Sequence, residues 1–252
     1  KVKYFDLKNK RVFISGGGSG IGATIVENFC EQNSEVYFID IDVKSSKKLI
    51  SNIKKKKKRV PKFIECNILD IKKLQNIIKN IIANKGPIHC LINSAANDDR
   101  HTTEQVNEKY WENRMGINLK HYFFAAQSVV KGMKKIKSGS IVNLSSVSWM
   151  LGEGDKVVYE TAKSAVIGLT RSFAQEFGKY NIRTNSVIPG SIATERQIKN
   201  WLTPKYKKLI LDSQALKRQL KPDDVARLVL FLSSDQSSGC TKQSFIIDAG
   251  IT

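Results

Sequence analysis

The chain has 252 residues, enough to bury a large apolar core as one domain and too few for two comfortable ones. Hydrophobic residues make up 41% and are spread along the length; no run is long enough to span a bilayer, which predicts a soluble protein with no membrane partner. The formal net charge is +19, and much of the excess is lysine, a property that speaks to solubility and weak anion attraction more than to fold.

The opening segment, Lys1 to Arg11, is charged and lacks the apolar stretch of a secretory signal, which points to the cytoplasm. The first strand, Arg11–Ser15, runs directly into Ser15-Gly16-Gly17-Gly18-Ser19-Gly20-Ile21-Gly22, and a helical stretch follows. Glycines there let the backbone turn tightly and approach a pyrophosphate, whose charge sits against the helix N-terminal N–H groups. The second strand, Glu35–Asp40, ends on a carboxylate eighteen residues beyond Gly22. That spacing suits a group that accepts hydrogen bonds from an adenosine ribose and repels a 2′-phosphate.

Lys54 to Lys58, followed by Arg59, read as a solvated helix end and turn. A nucleic-acid or anionic-membrane contact is the competing reading, but no aromatic residue is interleaved as stacking on single strands would want, and neither partner is expected. After a third strand at Lys62–Cys66, residues Ile71, Leu74, Ile77, Ile78, Ile81 and Ile82 form one apolar helix face. Strands at Ile88–Asn93, Ser140–Leu144, Thr184–Ile188 and Ser244–Asp248 bring the expected total to seven. Their alternation with helical stretches predicts an α/β fold. It is a Rossmann-type, doubly wound parallel sheet with helices on both faces, in one domain over 1–252. The longest stretch without a strand, about 191–222, holds Trp201 and Pro204 and is expected to form a helical substrate lid. Cys30, Cys66, Cys90 and Cys240 form no CxxC pair, and His89, His101 and His121 show no ligand spacing. Reduced core thiols and no catalytic metal are therefore expected.

Tyr159 and Lys163 are four apart in a helical segment, so both lie on one helix face; Ser146 lies thirteen residues upstream, just past a strand. A free phenol, with a pKa of about 10, is a poor base near neutrality, and a neighbouring ammonium favours its phenolate. Ser146 would hold the substrate oxygen.

With Gly16, Gly20 and Gly22 spaced as in a TGxxxGIG turn, and Ser15 in the threonine position, these residues resemble the short-chain dehydrogenase/reductase family. The likeness extends over essentially the whole chain. It implies a catalytic set of Asn118, Ser146, Tyr159 and Lys163, with Asn118 holding a water in a proton relay. It implies a nicotinamide cofactor, NAD because of Asp40. The cofactor would be held by Gly16, Ser19, Gly20, Ile21, Gly22, Asp40, Asn67, Ile68, Asn93, Tyr159, Lys163, Pro189, Ile192 and Thr194. It also implies a homotetramer. Asn67 stands where an aspartate usually contacts adenine, Ser94 and Ala96 depart from the NNAG pattern, and Lys242 replaces a glycine after Thr241.

Three further stretches, Asn97–His101, Ser148–Glu153 and Trp201–Pro204, resemble bacterial NAD-dependent aldose 1-dehydrogenases of the D-xylose type. That likeness implies a small-molecule sugar substrate bound by Asn97, Asp98, Arg100, Trp149 and Trp201. The competing reading of Asp98, Asp99 and Arg100 is a surface charge cluster tying two loops together. The alternatives in function are another short-chain alcohol dehydrogenase or 3-oxoacyl-type reductase and, more remotely, a cofactor-binding regulator without catalysis.

Overall fold

A computed structural model describes residues 2–252. The strands are β1 (Arg11–Ser15), β2 (Glu35–Asp40), β3 (Lys62–Glu65), β4 (Cys90–Asn93), β5 (Gly139–Leu144), β6 (Ile182–Pro189) and β7 (Ser244–Ile247). They form a seven-stranded sheet in the order β3-β2-β1-β4-β5-β6-β7, every neighbouring pair parallel. The expected strands are all present, with ends displaced by one or two residues. β7 stops before Asp248 because that carboxylate turns back to accept the N–H groups of Gly250, Ile251 and Thr252.

Alternate side chains of β1 explain the two layers. Val12 and Ile14 pack in one core with Ile25 and Phe29 of α1 (Gly20–Glu31) and Val225 and Val229 of α10 (Pro222–Ser233). Phe13 points to the opposite core, with Leu74, Ile78 and Ile81 of α3 (Ile71–Lys85), Ala125 and Val129 of α5 (His121–Ile136), and Phe173 of α7 (Val157–Phe177). Each such fully buried aliphatic or aromatic side chain contributes about 1.5–3 kcal/mol. The Ile/Leu periodicity over 71–82 is thus the sheet-facing stripe of α3. The helix starts where the Asp70 carboxylate accepts the Lys73 N–H and ends at Gly86, whose φ is +90°.

The lysine run closes α2 (Val43–Lys55). Ile53 is buried, Lys54 to Lys57 are exposed, Lys56 pairs with Glu27, and Arg59 donates to Asn9 and to the Asn33 carbonyl. A solvated helix end and turn is what the structure holds there. All four cysteines are free thiols, and burial pushes Cys30 and Cys90 each up to about 12. No helix among the described residues is long and apolar enough to cross a membrane. The segment 191–222 contains two helices, α8 (Glu195–Asn200) and α9 (Pro204–Ser213), and its ends meet where Ala193 N–H donates to Leu220.

The chain crosses the sheet between β3 and β4, so connections leave β1 and β4 in opposite directions. A crevice opens at such a switch point, beyond the carboxyl ends of the strands. The glycine turn after β1, Asp40 at the end of β2, and Ser146 after β5 all lie along that end of the sheet.

Candidate active site

One cleft of about 820 Å3 runs along this edge. At one end is the turn between β1 and α1. Gly16 has φ +69°, and a Cβ there would lie 2.6 Å from the Ala95 backbone; at Gly22 it would lie 1.9 Å from the Gly16 carbonyl oxygen. Side chains are excluded at both places by the chain's own backbone, so only glycine lets the turn fold this tightly at the head of α1. Ser19 occupies the N-cap of α1 without a side-chain capping bond, and the first turn holds no acidic residue. The uncapped N–H groups and the helix dipole suit an anionic group. The Asp40 carboxylate lines the cleft while accepting from Gly18 N–H at 2.8 Å and Asp42 N–H at 2.9 Å, so it also holds the turn in shape. A dinucleotide fits this cradle: its pyrophosphate would meet the α1 N-terminus and its adenosine ribose would meet Asp40.

At the other end are Ser146, Tyr159 and Lys163, all lining the same cleft. Ser146 follows β5 and shares a hydrogen bond of 2.9 Å with the Ser148 hydroxyl on the short helix α6 (Ser148–Leu151). Ser145 donates to the Lys163 carbonyl at 2.7 Å, pinning α7 against the end of β5. The first turn of α7 is held by His101, whose Nε2 accepts the Val158 N–H at 3.3 Å. His101 therefore carries its proton on Nδ1, toward the Asp99 carbonyl or the Tyr110 hydroxyl. Nothing in the sequence flagged this role, because Val158 and His101 are 57 residues apart.

Burial raises the Tyr159 pKa; Asp98 adds to the rise, and a hydrogen bond with Ser146 opposes it. Lys163 moves the other way, down to about 7, because burial disfavours its charge more than Asp98 supports it. The lowered phenol expected from the lysine ammonium together with the nicotinamide ring is thus not reached by the protein's own groups alone. Lys163 Nζ lies 5.6 Å from the Tyr159 ring centre and donates instead to the Tyr122 hydroxyl and the Leu144 carbonyl.

Gly16, Ser19, Ile21, Gly22, Asp40, Asn67, Ile68, Pro189, Ile192 and Thr194 line the cleft, as do Asn97, Asp98 and Arg100. Gly20, Asn93, Asn118, Trp149 and Trp201 are not among its lining residues, for local reasons. Asn93 is fully buried and donates to the Asn143 side chain. The Asn118 side chain clamps Asn97, accepting its N–H at 2.8 Å and donating to its carbonyl at 3.0 Å. It does so from a π turn (Gly116–Lys120) between α4 (Glu108–Met115) and α5. Such turns recur at functional sites. Trp201 lies under the Arg100 guanidinium, 4.6 Å from ring centre to cation, and the indole N–H groups of Trp149 and Trp201 are buried without a partner.

The charged loop ties two segments together, as one reading of its sequence had it. Asp98 accepts from Gln197 at 2.7 Å and lies 3.2 Å from Arg196; Asp99 meets Arg196 at 2.7 Å and Arg114 at 3.0 Å. The Asn97–His101 loop is thereby tied to α8, yet Asp98 still faces the cleft. Tyr206, Leu209 and Ile210 of α9 also line it, and sequence motifs had singled out none of the three; Glu153, at the end of the Ser148–Glu153 stretch, lines it too.

Comparison with known proteins places this geometry. A family profile described as enoyl-(acyl carrier protein) reductase matches residues 16–252. The D-xylose 1-dehydrogenase of Caulobacter vibrioides is 42% identical, over 98% of this chain and 97% of that protein. A protein of Rhizobium meliloti named probable galactose dehydrogenase GalD is 40% identical, over 98% and 96%. Among solved structures, a 3-oxoacyl-[acyl-carrier protein] reductase from Brucella melitensis superposes with a TM-score of 0.90 at 25% identity, covering 98% of this chain and 93% of that one.

Proposed function

The chain belongs to the short-chain dehydrogenase/reductase family, oxidoreductases of CH–OH groups, and from that premise we propose an NAD-dependent aldose dehydrogenase that oxidises the anomeric carbon to a lactone. The observation that carries this reading is the single cleft holding Ser146, Tyr159 and Lys163 at one end and Asp40 at the other. Full-length likeness to two proteins named as sugar dehydrogenases supports the substrate class. So does the polar lining of Asn97, Asp98, Arg100, Glu153 and Gln197, which can hydrogen-bond several hydroxyls.

When bound, the nicotinamide supplies the hydride acceptor. The residues do the rest. Ser146, steadied by Ser148, donates to the sugar's anomeric oxygen. Tyr159 removes the proton from that oxygen as the C–H bond breaks. The Lys163 ammonium favours the phenolate that this requires. Asn118 acts by holding the Asn97 loop in register with the site. Trp149 and Trp201 brace the pocket from outside its lining. The same reading makes the protein a homotetramer, with Trp111 of α4 and Phe123 of α5 exposed for contact with a second copy.

A panel of aldoses and plain secondary alcohols, with NAD reduction followed by absorbance, tests the substrate class. A site that hydrogen-bonds several hydroxyls rejects analogues lacking them by up to about 10⁴-fold. Pentoses such as D-xylose are expected to exceed simple alcohols by a wide margin in kcat/KM. Silence on every aldose alongside fast turnover of a 3-hydroxyacyl compound would move the chain to the reductase branch.

Cofactor choice is expected to follow the Asp40 charge. Two unit charges about 4 Å apart repel by about 4 kcal/mol at an effective dielectric of 20, an upper guide for an open cleft. Because Asp40 also bonds two backbone N–H groups, Asp40→Asn isolates the charge better than alanine would. The substitution is expected to narrow the NAD preference over NADP at least about tenfold in kcat/KM. Equal use of both cofactors by the unaltered protein would contradict the assignment.

A further inference from the structure

Tyr122 lies on α5, outside every motif read from the sequence, and is among the largest fully buried side chains. Its hydroxyl donates to the Leu144 carbonyl at 2.9 Å and accepts from Lys163 Nζ at 3.0 Å, while Nζ also donates to Leu144 at 2.8 Å. The lysine nitrogen sits between two phenol rings, 5.2 Å from the centre of Tyr122 and 5.6 Å from that of Tyr159. The Tyr122 hydroxyl and the Leu144 carbonyl replace water the cation has lost. We propose that Tyr122 is a positioning residue for the reaction: its hydroxyl, wedged between the Lys163 ammonium and the Leu144 carbonyl, holds the lysine charged and in place beside Tyr159.

The reasoning is one of coupled protonation and rests on the dehydrogenase reading only for its catalytic consequence. When Tyr159 and Lys163 together lose one proton, two arrangements compete: phenolate with ammonium, and phenol with neutral amine. Only the first can take a proton from an alcohol. Burial of Lys163 favours the second. An acceptor at Nζ favours the first, since hydrogen bonds to a charged donor are stronger than those to a neutral one. The other groups facing the pair are Asp98, whose charge supports the ammonium but opposes the phenolate, Glu153, which also opposes the phenolate, Arg196, which favours it, and His121 on α5, held neutral by burial with a pKa down to about 3.

The test is the titration of Lys163 itself, followed by NMR in cofactor-free protein labelled at the lysine ε carbon, the signal being identified by its loss in Lys163→Arg. In the unaltered protein the midpoint is expected at about 7. In Tyr122→Phe it is expected at least about one unit lower, and kcat should fall roughly 10- to 100-fold with little change in substrate KM. The same lysine midpoint in both proteins overturns the proposal. A shifted midpoint in a protein that oxidises no alcohol, before or after substitution, would instead sink the dehydrogenase reading and leave Tyr122 as assigned. Should Tyr122→Phe fail to fold, a crystal structure of the unaltered protein with NADH decides. Nζ still within about 3.2 Å of the Tyr122 hydroxyl supports the proposal, and an Nζ that has left it overturns it.

Discussion

Tyr159→Phe is expected to lower kcat by at least about 10²-fold, toward 10⁴-fold, while leaving NADH affinity nearly unchanged. The substitution removes one hydroxyl and keeps the ring on its helix, and Ser146 retains its bond to Ser148. The cofactor cradle at Gly16, Ser19 and Asp40 lies at the opposite end of the cleft and is untouched. Rate and binding should therefore separate, which steady-state kinetics and a fluorescence titration with NADH can read independently. The raised Tyr159 pKa adds a sign. A base must be deprotonated to act, so oxidation by the unaltered enzyme should quicken as pH rises through the neutral range. The reverse reduction, which needs the phenol, should not. Substantial oxidation by Tyr159→Phe would remove Tyr159 from the chemistry.

Lys163→Met is expected to cost most of the activity and yet make the protein more stable. Lys163 is fully buried, and its pKa falls from an ordinary 10.5 to about 7. A cation with a depressed folded-state pKa binds its proton more weakly folded than unfolded. Its burial therefore weighs fully against folding below pH about 7, and that cost fades as pH climbs toward about 10. A shift of this size corresponds to roughly 5 kcal/mol. Methionine fills similar space without charge, and Tyr122 keeps its bond to Leu144. After the lost hydrogen bonds, a net gain of about 2 kcal/mol at pH 7 is expected, or about 4–8 °C in melting temperature for a chain of this size. The gain should shrink in the same measurement near pH 10. A variant less stable than the parent at both pH values would contradict this account. Such a residue is kept for what it does to Tyr159, at the expense of the fold.

The seven strands, the phosphate turn and the Tyr159–Lys163 pair were legible because each depends on neighbours close in the chain. Short apolar runs rich in β-branched residues and bounded by turn residues read as buried strands. Glycine at 16, 20 and 22 permits backbone that other residues forbid, and a spacing of four puts two side chains on one helix face. Asp40 was legible for a related reason, since the strand–turn–helix–strand unit leaves little choice about where the second strand ends. What only the tertiary structure decided are the contacts between segments far apart in sequence. Tyr122 and Lys163 are 41 residues apart, His101 and Val158 are 57, and Asp99 and Arg196 are 97. None of these pairs follows from a local period. The protonation states of Tyr159 and Lys163 belong to the same class. The spacing brings a cation near a phenol, but burial decides which of the two keeps its proton, and burial is set by every element packed around them. Asn93, Trp149 and Trp201 show the other side of this limit. Their motifs place them near the site, and only packing reveals that Asn93 is spent on Asn143 and Trp201 on Arg100, with Trp149 outside the cleft lining.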